Sequence, residues 1–181
     1  MPPQPTLRTE RLLLRPFVLE DAAVVQRLAG ARDVADTTLT IPHPYLDGMA
    51  ESWIQTHGEA WERQERATFA ITAPADGVIG AIALTLRLEH RRAELGYWIG
   101  RPFWNRGHAT EAVRAVLAFG FDKLGLNRIH ASHFTRNPAS GRVMMKAGMQ
   151  LEGMLRQHVV RWDRLEDLAV YSILRGDRVH E

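Results

Sequence analysis

The stretch Tyr97-Trp98-Ile99-Gly100-Arg101-Pro102-Phe103-Trp104-Asn105-Arg106-Gly107-His108-Ala109-Thr110-Glu111-Ala112 has the composition of an anion site. It reads as a strand, a loop with glycine, and the start of a helix. The first N–H groups of a helix have no partner inside it, and the helix dipole is positive there. Gly107 lets an anion approach the backbone closely, and Arg106 adds a full charge. Neither G-x-x-x-x-G-K-S/T nor G-x-G-x-x-G occurs, so this is not a P-loop or a dinucleotide fingerprint. A pyrophosphate bound here must be held another way. The competing explanation is an ordinary glycine at a strand–helix junction, because short glycine motifs are weak signals.

The chain has no cysteine, which excludes a disulfide scaffold, a thiolate zinc site and a cysteine nucleophile. Its eight histidines do not suggest a metal site. His130 and His133 are three apart on an expected strand, so they point to opposite faces. Lys and Arg number 23 against 21 Asp and Glu, a net +2 that gives no charge-based case for nucleic-acid binding. At 181 residues, 45% hydrophobic and 24% charged, the composition is that of one soluble globular domain, with residues 1–6 loose at the Pro-rich start. The N-terminus lacks the pattern of a signal peptide, and no apolar run approaches the roughly 18 residues of a membrane span. A cytoplasmic protein is the resulting expectation.

Seven strands and four helices must position these groups. Arg11 to Arg15 opens as a strand, and Leu19 to Gly30 follows as a helix. Asp47 is expected to cap a helix running to about Glu65. Thr68 to Thr72 and Val78 to Arg87 form a hairpin across Asp76-Gly77. Arg92 to Ile99 is the next strand, and its internal Gly96 suggests a bulge or a close backbone approach. A helix from about Ala109 to Leu124 carries the clearest apolar face, with Gly125 where a C-cap would sit. Arg128 to Phe134 is a strand, Asn137-Pro138 opens a helix that stops at Gly148, and strands near Gln150 to Val160 and Leu165 to Leu174 finish the chain. The strand–helix–strand unit implies one parallel pair, while the hairpins on either side imply antiparallel neighbours. The fold class is therefore α/β (α+β), a single mixed sheet and not a doubly wound one.

Four segments, in order, resemble the GNAT superfamily of acetyl-CoA-dependent N-acetyltransferases. Arg106-Gly107-His108-Ala109 is similar to the end of its Q/R-x-x-G-x-G/A pyrophosphate loop, with Trp104 where Gln or Arg is usual. That departure is common in the RimJ/RimL branch of ribosomal-protein N-acetyltransferases. Thr9 to Pro16 resembles the opening strand of that branch, and Glu94 to Ile99 resembles its central strand. Asn137-Pro138-Ala139-Ser140 with Lys146-Ala147-Gly148-Met149 resembles its Asn-x-x-Ser…Lys-x-Gly-Phe segment, with Met149 for Phe.

The resemblance implies acetyl-CoA as co-substrate, no metal, and a sheet splayed at its parallel pair. It implies that backbone groups of Trp98, Ile99 and Gly100 meet the pantetheine arm. It implies that Asn105, Arg106, Gly107, His108, Ala109 and Thr110 hold the pyrophosphate, and that Asn137 contacts the cofactor. Acetyl transfer needs a neutral amine, a polarised carbonyl and stabilisation of the leaving thiolate. Without cysteine, direct attack is the fitting route. Glu94 is the candidate base, and the competing reading is an exposed carboxylate paired with Arg91 or Arg92. Ser140 is the candidate acid, and the competing reading is a first-turn serine that binds backbone or cofactor. For Asn137 an N-cap explanation stands beside cofactor contact. The acceptor implied is a protein N-terminal α-amine, as on a ribosomal protein. A small amine such as a polyamine, an amino acid or an aminoglycoside is the alternative, and a non-catalytic acyl-CoA-binding domain is a reading of another class. The two long final strands leave a sheet edge that a homodimer would cover.

Overall fold

The computed structural model describes residues 2–178. Eight strands form one sheet: β1 (Leu7–Arg8), β2 (Leu13–Arg15), β3 (Arg66–Ala73), β4 (Gly77–Arg87), β5 (Arg92–Ile99), β6 (Arg128–Phe134), β7 (Gln150–Arg161) and β8 (Arg164–Leu174). Their order across the sheet is β1-β2-β3-β4-β5-β6-β8-β7. Only β5 and β6 run parallel. The helices are α1 (Ala22–Ala29), α2 (Arg32–Ala35), α3 (Met49–Glu62), α4 (His108–Asp122) and α5 (Pro138–Lys146).

The mixed sheet with one parallel pair matches the sequence expectation, with one strand and one helix more. The opening strand begins at Leu13, because Thr9 and Leu12 close a turn (Thr9 N to Leu12 O, 3.0 Å) that frees Leu7–Arg8 to pair separately. The helix after Asp47 is capped by Gly48, at φ +81°, and not by Asp47. Asp47 instead accepts a hydrogen bond from Gln26 Nε2 at 2.7 Å. Gly96 makes no bulge: the β4–β5 register runs unbroken from Gly80↔Ile99 to Arg87↔Arg92. A Cβ at Gly96 would meet nothing within 4 Å, so the glycine leaves open space beside the strand.

Two cores sandwich the sheet. On one face, Val113, Val116 and Phe121 of α4 and Met144 of α5 pack on Ile82, Leu84, Leu95 and Ile129. On the other, Val25 of α1 with Ala50 and Ile54 of α3 pack on Ala70 and Ala81. Alternation along β5 sends Leu95, Tyr97 and Ile99 toward α4 and α5, and Glu94, Gly96 and Trp98 toward α1 and α3.

The β5–β6 ladder holds only three registered pairs, Arg92↔Arg128, Ala93↔Ile129 and Glu94↔His130. Beyond Glu94 the strands part, although each stays fully paired to its outer neighbour, β4 or β8. Gly141 seats α5 beside the parted end of β6. A Cβ there would fall 2.6 Å from His133 Nε2 and 3.3 Å from the Tyr171 hydroxyl.

His57 of α3 lies buried against the rings of Trp53 (4.4 Å) and Phe17 (5.5 Å). Neither of its ring nitrogens has a partner among the described residues. Burial, with the nearby Arg66 charge, pushes it from 6.5 down to about 4. The unfolded chain therefore takes a proton at this position below about pH 6.5, and the folded chain only near 4. Stability is complete above that window and falls as pH drops through it, by about 3 kcal/mol for a shift from 6.5 to about 4. Thermal denaturation between pH 4 and 7 should show this decline in the wild type and a flatter curve in His57→Leu. Parallel curves would assign the acid sensitivity to other groups.

Candidate active site

The parted strands open a cleft of about 1300 Å³ that runs through the sheet from the α4–α5 side to the α1–α3 side. Of the residues singled out in the sequence, Glu94, Trp98, Ile99, Asn105, Arg106, Gly107, His108, Ala109, Thr110, Asn137 and Ser140 all line it. Gly100 does not. Its N–H donates to the Ile79 carbonyl at 2.8 Å, so it faces β4 and is not available to a ligand. That bond also sets the phase of the strand. Main-chain groups alternate edges along an antiparallel ladder, so Trp98 also faces β4, while Tyr97 and Ile99 face the gap. The gap-facing Ile99 carbonyl accepts Trp104 Nε1 at 2.6 Å. Trp104 thus has a structural task at the loop position where the family usually has Gln or Arg, and the Ile99 N–H is left toward the gap.

Helix α4 begins at His108, behind Gly107 at φ +80°. No side chain caps it, so its first amides are open to the cleft. The loop is held from behind. Glu111 accepts from Thr9 Oγ1 (2.6 Å), Arg11 N (2.9 Å) and Arg11 Nε (2.7 Å), and Arg11 Nη1 donates to the Arg106 carbonyl (3.1 Å). These bonds hold the Glu111 carboxyl below its usual range despite partial burial. They also give Thr9 and Arg11, read in the sequence only as part of a strand, the task of fixing the loop. His108 is pushed down, first by burial and then by Arg11, and its buried Nδ1 has no partner among the described residues. Open amides and the Arg106 guanidinium, beside the His108 ring, form a donor set that fits a pyrophosphate.

Asn137 precedes Pro138 at the start of α5, but its side chain makes no capping bond and lines the cleft. Arg142 and Lys146 also line it, whereas Arg136 is turned away and paired with Asp36 (2.8 Å) and Glu166 (2.9 Å). Across the gap, the Tyr97 hydroxyl contacts Ser140 twice, at Oγ (2.8 Å) and at the carbonyl (3.1 Å). Tyr97 has one proton, which it can give either to the carbonyl or to Ser140 Oγ, and either hydroxyl can be the donor between Oη and Oγ. Burial pushes the Tyr97 phenol up to about 12, although the Ser140 bond works the other way. Tyr97 enters the site as a side chain that spacing alone did not reveal.

On the α1–α3 side, Glu94 is exposed and stands in a row of directly opposed residues, Arg66↔Thr85, Thr85↔Glu94 and Glu94↔His130. The pairing with Arg91 or Arg92 that the competing reading calls for is not seen among the described residues. Arg91 Nε bonds the Gly125 carbonyl at 3.3 Å, and Glu94 forms no ion pair among the described residues. Burial lowers His130, and the charge of Glu94 pulls it back up. Burial likewise lowers Arg66, against the same carboxylate. Trp53 and Tyr45 line this part of the cleft, but His43 does not; its ring lies 5.9 Å from that of Trp162.

The acetyltransferase (GNAT) domain family matches residues 11–150. The chain belongs to the GNAT acetyltransferase family. It is 35% identical over 175 residues to the uncharacterized N-acetyltransferase YoaA of Bacillus subtilis, covering 94% of this chain and 97% of the relative. The ribosomal-protein-serine acetyltransferase of Escherichia coli is 29% identical over 99 residues, 54% of this chain and 55% of that one. The fold superposes on RimL, a ribosomal L7/L12 α-N-protein acetyltransferase solved with coenzyme A, with a TM-score of 0.88 at 15% identity, covering 96% and 100% of the two chains. This GNAT protein is an acetyl-CoA-dependent N-acetyltransferase.

Proposed function

We propose that this enzyme transfers acetyl directly from acetyl-CoA to a protein N-terminal α-amine. The observation that carries the reading is the through-cleft: an anion cradle on one side of the sheet, and the exposed carboxylate of Glu94 on the other. The similarity to a ribosomal-protein-serine acetyltransferase supports an N-terminal acceptor. We read the chain as one catalytic domain, since a single sheet runs through it.

When bound, acetyl-CoA supplies the activated acetyl thioester. Amides at the start of α4, with Arg106 and His108, hold the pyrophosphate, and Asn137 supports the cofactor arm. Main-chain groups of Tyr97 and Ile99 meet that arm, with the Ile99 N–H donating to the carbonyl oxygen as negative charge develops. Glu94, through water, takes the proton lost by the attacking amine. An α-amine near pKa ~8 is roughly a tenth neutral at pH 7, so a weak base suffices, whereas a lysine near ~10.4 demands far more. Ser140 stabilises the leaving sulfur as a hydrogen-bond donor. Tyr97 is too weak an acid at about 12 to surrender its proton, but by donating to Ser140 Oγ it turns the serine proton toward the sulfur.

Ser140→Ala should lower kcat by roughly 10- to 100-fold, the worth of one hydrogen bond to a charged group. Tyr97→Phe should lower it less, and adding it to Ser140→Ala should cost little more. Steady-state kinetics of the double-mutant cycle measure this. Full activity of Ser140→Ala would reduce the serine to a contact residue.

The edge strand β7 exposes Leu151, Met154, Leu155 and Val160, and a second copy of the chain would cover them. Sedentary monomers at high concentration in analytical ultracentrifugation would exclude that homodimer.

A further inference from the structure

Part of the cleft wall on the α1–α3 side is the segment Thr37 to Ile41, which has no regular structure of its own. Its fixed point lies at the far edge of the sheet. Arg161, the last residue of β7, is 7% exposed and sends its guanidinium into this segment. Nη2 donates to the carbonyls of Ala35 (2.7 Å) and Ile41 (2.6 Å), and Nη1 donates to that of Leu39 (3.1 Å). Among the described residues no carboxylate is bonded to it, and its buried Nε has no partner. Burial lowers its pKa, with Asp36 the nearby opposing charge.

The surroundings are arranged to hold that guanidinium. Trp162 and Asp163 turn the β7–β8 hairpin at φ +48° and +61°. The Trp162 ring lies 4.3 Å from Arg161 and 5.3 Å from Arg32. Asp36, at the head of the wall segment, is bridged to Arg136 (2.8 Å) and Arg164 (3.1 Å). A buried cation without a carboxylate partner is costly to keep, and its three carbonyl contacts and the Trp162 ring are what offset that cost. The planar guanidinium presents two nitrogens in a fixed fork to the three carbonyls, a geometry that a lysine's single ammonium reproduces only in part.

We infer that Arg161 is a positioning residue for acceptor selection: by tying Ala35, Leu39 and Ile41 to the hairpin, it sets the width of the acceptor side of the cleft. The inference rests on the proposed amine-acceptor reading, because it takes that side of the cleft to receive the amine.

The test uses the full chain and compares wild type, Arg161→Met, Arg161→Lys and Trp162→Ala. Acceptor KM for a peptide with a free α-amine should rise about 10-fold in Arg161→Met, equivalent to about 1.4 kcal/mol. The KM for acetyl-CoA should move less than about twofold, because no contact of the phosphate loop is touched. Arg161→Lys should recover part of the loss, and Trp162→Ala should give a smaller change of the same sign. Hydrogen exchange should quicken at residues 35–41 and stay unchanged in β3 to β5. If Arg161→Met does not fold, the other two variants decide. Unchanged acceptor KM in a folded variant, or both KM values rising together, overturns the inference. If the wild type acetylates no amine, the acceptor reading falls and the selection role falls with it, while exchange at residues 35–41 still decides whether Arg161 holds the segment.

Discussion

Glu94→Gln should lower kcat at pH 7 by roughly 10²- to 10⁴-fold, the usual worth of a positioned general base. The KM for acetyl-CoA should stay within about twofold, since Glu94 faces α1 and α3 while the anion cradle lies across the sheet. The loss should shrink as pH rises. Without the carboxylate, the rate follows the fraction of acceptor that is already neutral, and this fraction approaches one above the amine's own pKa, about 8 for an α-amine and about 10.4 for lysine. A pH–rate profile with each acceptor type therefore separates the two. With an α-amine the variant should approach wild type near pH ~9, and with lysine it should still lag there. A variant that matches wild type across the whole range removes Glu94 as the base.

Gly107→Ala should act on the other half of the reaction. Gly107 sits at φ +80°, where a side chain strains the backbone by about 1–2 kcal/mol. A Cβ there would also lie 3.3 Å from Arg11 Nη2, the arginine whose Nη1 holds the Arg106 carbonyl. Both effects move the loop that presents the α4 amides. The KM for acetyl-CoA should rise by roughly 5- to 30-fold, the kinetic equivalent of 1–2 kcal/mol, with kcat at saturation changed by less than about threefold. Gly58→Ala is the control. That glycine lies inside α3 with nothing within 4 Å of a Cβ, so alanine there should leave both constants alone. An unchanged KM in Gly107→Ala would mean the loop does not carry the pyrophosphate.

The residues with local signatures were legible in the sequence. Gly107 before a strongly amphipathic helix, Asp76-Gly77 between two strands, and Asn137-Pro138 at a helix start each follow from backbone chemistry within a few residues. What was hidden depends on register or on distant partners. The separate β1 and β2 arise because Leu7 pairs with Leu14 around a turn closed by Thr9 and Leu12. Gly96 looked like a bulge and is not one, since only the β4 partner positions decide that. Tyr97 meets Ser140 across 43 residues, and Arg161 reaches Ala35 across 126. Neither has any sequence spacing to announce it. Asp47 carried the right residue type for a cap, but the chain needed a left-handed turn at that point, and Gly48 supplies it.

The most direct test of acetyl transfer to an amine uses isotope-labelled acetyl-CoA and a peptide bearing both a free α-amine and an internal lysine. Thiol release and mass spectrometry of peptide and enzyme are followed together. The expected result is one labelled acetyl on the α-nitrogen for each thiol released, with no label on the enzyme after rapid quenching. Tight coenzyme A binding with no thiol release for any amine, or labelled acetyl on the enzyme itself, would contradict direct transfer.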